Sequence, residues 1–113
     1  MLFRSLLPVL VKLLEPQADS VVLIKPQFEV GKGQVGRRGV VHDPQQHQQV
    51  LWDILTAAQE CGFGVHAAIV SPLLGPKGNR EFLAHLGLGG PPMSLQGLQE
   101  LCTHLAFPRE IGA

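Results

Sequence analysis

Lys25 directly follows four apolar residues, Val21-Val22-Leu23-Ile24, and directly precedes Pro26. Such a run predicts a strand buried on both faces, as in a parallel sheet. The proline predicts an extended chain at this point and an end to the ladder. In open α/β sheets, ligands and chemistry gather at the carboxyl ends of strands, so Lys25 stands where a functional amine is placed. An ammonium there can polarise a hydroxyl and stabilise negative charge developing on its oxygen. In a dry, cation-rich site its pKa falls, and the neutral amine can also accept the proton. The plainer alternative is a lysine snorkelling from a strand end. Glu29 reads as a loop carboxylate near enough to pair with it.

Other chemical groups are less specific. Gly31-Lys32-Gly33-Gln34-Val35-Gly36 matches G-x-G-x-x-G. The dinucleotide fingerprint needs its glycines to open a helix directly after the strand, and here the next helix signal comes well past Gly36, so that reading is rejected. Lys32, Arg37 and Arg38 then suit either a surface loop or contacts to RNA phosphates, which position a backbone without reading sequence. Lys77, between Pro76 and Gly78, has the same two readings. His42 and His47 flank Asp43, but the helix start explains Asp43 better than a metal does. His66 and His85 fall within strands and read as structural. Cys61 and Cys102 fit no zinc spacing, so no metal site is expected. No Ser-His-Asp or Cys-His set stands out.

The chain has 113 residues, one domain by length, and is 45% hydrophobic, enough for a core. Nine basic residues balance nine acidic ones, which removes any global electrostatic case for nucleic acid or membrane and leaves only local clusters. The few aromatics and absent tyrosine argue against a stacking platform for single-stranded RNA. Two free thiols suit a reducing cytoplasm. No apolar run approaches a membrane span. The apolar start lacks a basic n-region and a cleavage site, so it reads as a core helix rather than a signal peptide.

Five further elements position these groups. A short helix is expected from Ser5 to Leu14, apolar nearly all round, with Pro8 in its first turn. Asp43-Pro44-Gln45-Gln46 is a helix start with cap, N1 proline and returning glutamine. His47, Val50, Leu51, Ile54, Leu55 and Ala58 share one face of that helix, which ends near Cys61 with Gly62 as its cap. Val65–Val70 reads as a second buried strand ending at Ser71-Pro72. Ser94 caps a last amphipathic helix through Leu95, Leu98, Leu101, Cys102 and Leu105. It is expected to cover apolar surface, with partner binding as the other possibility. Asn79–Leu86 fits both a short helix capped by Asn79 and an alternating strand.

Three blocks, LIKPQFEVG, VGRRGVVHDP followed by a histidine, and SPLLGPKGNREFL, resemble the carboxyl-terminal half of the hemolysin A type of FtsJ-like ribosomal RNA 2′-O-methyltransferases. The resemblance runs from about Leu6 to Leu86. It implies a division into residues 1–88, the second half of the methyltransferase domain, and 89–113, a linker and terminal helix. It makes Asn79–Leu86 the last, antiparallel strand, lying between the other two. The expected fold is α/β, a partial Rossmann-like methyltransferase fold. Its sheet is expected to be mixed and three-stranded, two parallel strands plus one antiparallel, with flanking helices.

The resemblance also implies the chemistry. The family activates a ribose 2′-hydroxyl with two lysines, an aspartate and a glutamate. Lys25 resembles the second lysine, and Glu81 resembles the glutamate. The first lysine, the aspartate and the glycine-rich loop for S-adenosylmethionine belong upstream of the matching segment. No cofactor is therefore expected on this chain alone, and the isolated chain is expected to be inactive, a fragment of the family enzyme. The alternative is a non-catalytic binding or assembly module that kept the fold. Ribosomal RNA is the implied partner. The outer edge of the strand at 21–24, or the first helix, is expected to support a homodimer.

Overall fold

The computed structural model describes residues 2–31, 35, 36 and 39–108, with side chains from Ser5 onward. Its elements are α1 (Leu2–Leu13), β1 (Asp19–Ile24), α2 (Pro26–Glu29), α3 (Pro44–Glu60), β2 (Phe63–Val70), β3 (Phe82–Leu88) and α4 (Leu95–Ala106). A 3₁₀ turn, Pro76–Gly78, lies between β2 and β3.

The two longer helix starts follow their local signals. The Asp43 carboxylate accepts from the Gln45 N–H at 2.9 Å, with Pro44 in the first helical position of α3. The Ser94 hydroxyl accepts from the Gly97 N–H at 3.0 Å at the head of α4. These caps satisfy donors that have no partner within the helix. Pro8 departs from expectation. Because α1 begins at Leu2, the proline lies inside the helix rather than in its first turn.

The sheet has the order β1-β3-β2, and both of its ladders are antiparallel. This corrects the mixed sheet expected from the apolar runs. β1 and β2 do run in the same direction, but β3 lies between them, so no parallel ladder forms. Residues Phe82–Leu88 are strand, and the helical alternative fails because their backbone groups are taken by partners on both sides.

A second correction concerns burial. β1 is covered on one face only. Ile24 is 1% exposed, whereas Val21 is 71% and Leu23 42% exposed. Helices α1, α3 and α4 lie on the inner face, where Leu7, Leu51, Ile54, Leu55 and Leu98 join Ile24, Val65, Phe82, Ala84 and Leu86 in one core. The outer face, with Val21, Leu23 and Ile69, is open among the described residues.

Helix α4 packs on α3 and β2 and contributes Leu98, Cys102 and Leu105 to the core. Gln59 of α3 ties down the segment before it, donating to the Met93 carbonyl and accepting from the Met93 N–H, both at 2.8 Å. Burial raises the Cys102 thiol to about 11, which leaves it protonated and inert at neutral pH.

Candidate active site

Lys25 has the extended backbone that a residue before proline favours, with φ −114° and ψ 97°. Pro26 does not prolong that extension, as its sequence position suggested. It takes the first position of α2, where its fixed φ suits a helix and its missing N–H costs nothing. The chain therefore turns sharply after Lys25 and brings Gln27 back over the strand end. The Lys25 ammonium lies 5.5 Å from the centroid of the Phe28 ring, a cation–π distance.

Ile24 pairs with Phe82 in the last rung of the β1–β3 ladder. Lys25 and Glu81 are the next residues outward, so they stand at the same end of adjacent strands. Glu81 is 5% exposed. Its carboxylate accepts from the Gln27 side-chain amide at 2.7 Å. A carboxylate so buried requires donors, and Gln27 supplies one without adding charge. The backbone at Gly75 lies against the same carboxylate, and a Cβ at that position would collide with it. The amide oxygen of Gln27 is itself buried and has no partner.

The two anticipated residues thus share one end of the sheet, and the direct contact to Glu81 comes from Gln27, which sequence reasoning passed over. The signal was present inside the KPQFE block, two residues after Lys25. It became readable only once α2 folded the chain back.

Asn79 was also missed. It is 2% exposed and joins two loops. Its amide donates to the carbonyls of Gly39 at 2.9 Å and Pro76 at 3.0 Å, and its oxygen accepts from the Val41 N–H at 2.9 Å. It is a bridge between loops and not a helix cap. Lys77 sits exposed on the turn that Asn79 anchors, with a positive φ of 60°. Its Nζ approaches Gly39. Lys32, Arg37 and Arg38 lie outside the described residues. Arg80, His42, His47 and Leu74 line a cleft of about 400 Å³ beside this turn.

His47 is buried edge-on against Phe82, ring centroids 5.6 Å apart. Its Nε2 is 2.9 Å from the Val41 carbonyl, so Nε2 carries the proton and Nδ1 is bare. Nδ1 has no partner. Burial, the largest influence, holds this imidazole below its usual 6.5. His47 is a structural histidine, held by a carbonyl bond and ring packing.

The Gly36 N–H is spent on the Val40 carbonyl at 2.9 Å, and α3 opens only at Pro44. Glycine-rich chain and helix start are not adjacent here, as a phosphate or nucleoside cradle would require.

The profile of FtsJ-like methyltransferases matches residues 8–88. The chain is 49% identical over 82 residues to the 16S/23S rRNA (cytidine-2′-O)-methyltransferase TlyA of Mycobacterium tuberculosis H37Rv, covering 73% of this chain and 31% of TlyA. It is 41% identical over 97 residues to YqxC of Bacillus subtilis, described as a candidate rRNA methyltransferase, covering 86% of this chain and 34% of YqxC. A solved structure of a candidate hemolysin from Streptococcus thermophilus superposes with a TM-score of 0.78 at 35% identity, over 91% of this chain and 38% of that one. The chain spans about a third of the length of the curated relatives it matches.

Proposed function

Because the chain belongs to the FtsJ-like methyltransferase family, we propose that it supplies the carboxyl-terminal part of a ribosomal RNA 2′-O-methyltransferase of the hemolysin A type. The observation that carries this reading is the buried Glu81 carboxylate, bonded to Gln27 at the strand end that Lys25 shares. A ribose hydroxyl is a poor nucleophile until its proton is drawn away. In this reading Lys25 polarises the hydroxyl oxygen and stabilises its developing negative charge. Glu81 and Gln27 hold the geometry, and the unpaired Gln27 oxygen takes a donor from substrate or from the rest of the fold. S-adenosylmethionine, the methyl donor that the family implies, would be held by parts of the complete fold outside these 113 residues.

Ribosomal RNA is the proposed partner. Lys77, anchored beside the cleft at Arg80, would contact its phosphates, with Lys32, Arg37 and Arg38 assigned the same role. The cytoplasm is the proposed compartment; the free cysteines suit it, and no described helix is long and apolar enough to cross a membrane. The competing reading, an assembly module without chemistry, draws on the open apolar outer face of the sheet. The same face and the free outer edge of β1 support a homodimer.

Two experiments test the reading. Calorimetric titration of the 113 residues with millimolar S-adenosylmethionine is expected to give no saturable heat, and a clear isotherm would overturn the expectation of inactivity. Joining this chain to the remainder of TlyA is expected to give an enzyme that methylates rRNA. Lys25→Ala and Glu81→Ala should each then slow transfer by about 10²–10⁴-fold. A chimaera that folds and transfers equally well with both residues removed would favour the assembly module.

A further inference from the structure

We propose that Asp19, His66 and His85 form a binding site for a borderline divalent cation such as Zn²⁺. The three residues come from three different strands and meet on the outer face of the sheet. They lie at the opposite end from Lys25 and Glu81, since Asp19 opens β1 and Gly87 pairs with it. One ligand atom from each lies within 4.8 Å of the other two. The Asp19 carboxylate oxygen is 3.1 Å from His85 Nε2 and 3.8 Å from His66 Nε2. Ligands on a tetrahedral zinc ion, at about 2.0–2.2 Å from the metal, stand about 3.3–3.5 Å from one another. The observed separations bracket that spacing, so small side-chain rotations suffice to close the set.

Two features of the fold build this arrangement. The β2–β3 register slips between Val65 and Ala67, and His66 is the extra residue. Strand alternation from the buried Val65 already turns His66 outward. The slip keeps the following Ala67 on that outer face as well, so the strand bends where His66 projects, the kind of local change that bulges make. Gly87 then leaves the space in which the His66 ring lies, because a Cβ at position 87 would collide with His66 Nε2. The two imidazole rings, centroids 4.7 Å apart, both face the one carboxylate.

The donor set, two imidazoles and a carboxylate, suits zinc and its neighbours in the first transition row rather than calcium or magnesium, which prefer oxygen. The His66 and His85 side chains are 34% and 44% exposed and that of Asp19 is 70% exposed, so the ion would keep an open position for water or a further ligand. The site also crosslinks all three strands, and the ion stabilises the folded chain by mass action.

The test is calorimetric titration of the 113-residue chain with ZnCl₂ near neutral pH, repeated on His66→Ala, His85→Ala and Asp19→Asn, with melting curves taken beside each. The expected result is one ion per chain, a raised melting temperature, and affinity about tenfold weaker or worse in each variant, since even outer-shell changes reach that size. Gly87→Ala, which changes none of the three ligand residues but pushes the His66 ring aside, is also expected to weaken binding. Co²⁺ added to the native chain should give the visible bands of a four-coordinate ion. Three results would overturn the proposal: no saturable heat, an isotherm that survives all three ligand substitutions, or Zn²⁺ binding lost only in variants whose metal-free fold is also lost.

Discussion

The inner face of the sheet carries Val22, Ile24, Phe82, Ala84, Leu86, Val65 and Ala68 beneath three helices, and the outer face carries Val21, Leu23 and Ile69 in the open. Both faces carry valine and isoleucine, Val22, Ile24 and Val65 inside and Val21 and Ile69 outside. What differs is whether anything lies above them. Apolar character therefore reports which faces a strand is suited to bury, and the elements stacked on it decide which faces are buried. On the outer face the same surface that invites a partner also holds the polar group Asp19, His66 and His85.

The largest expected difference between the faces is in stability. Phe82→Ala empties a fully buried site and should cost about 3–5 kcal/mol. That is a large share of a typical domain stability of about 5–15 kcal/mol. Ile69, 54% exposed on the outer face, should cost about 1 kcal/mol or less when changed to alanine. Urea unfolding measures both. Equal losses would mean that the outer face is covered in solution.

Association probes the outer side directly. If two copies join through the free edge of β1, light scattering behind a sizing column should show a dimer at tens of micromolar. Val21→Lys, which adds a charge to that strand, should return it to a monomer. A native chain that is already monomeric at this concentration would remove the homodimer from the reading.

The smallest effect is a pH slope from beneath the inner face. His47 is held below its usual 6.5 mainly by burial. Its unfolded form therefore takes up a proton in a range where the folded form does not. The stabilisation is fully present above about 6.5 and is lost as pH falls through that value toward the lower folded one. His47→Gln keeps a donor for the Val41 carbonyl and should flatten this part of the profile in thermal melts. An unchanged slope would assign it to other groups.

Features within one turn of their cause were legible from the chain alone. Asp43 with Pro44 starts α3, and Ser94 starts α4, because a cap bonds an N–H two or three residues away. The apolar face of α3 was readable for the same reason, since residues three and four apart share a side. The resemblance carried by KPQFE and GPKGNREF paired Lys25 with Glu81 as an expectation, and the two residues stand at the same end of adjacent strands.

Tertiary structure decided the rest. Gln27 meets Glu81 across 54 residues of chain, and His85 meets Asp19 across 66. Those contacts depend on the β1–β3 register and on the turn after Lys25, neither of which is a property of neighbouring residues. By pattern Asn79–Leu86 could alternate as a strand or cap as a helix; the resemblance favoured the strand, and the physical reason lies in the two flanking strands, which supply partners for both sets of backbone groups of Phe82–Leu88. Which of the residues after His66 faced the core turned on one extra residue in β2, because strand faces alternate with a period of two and a single slip reverses them, leaving Ala67 outward and Ala68 inward.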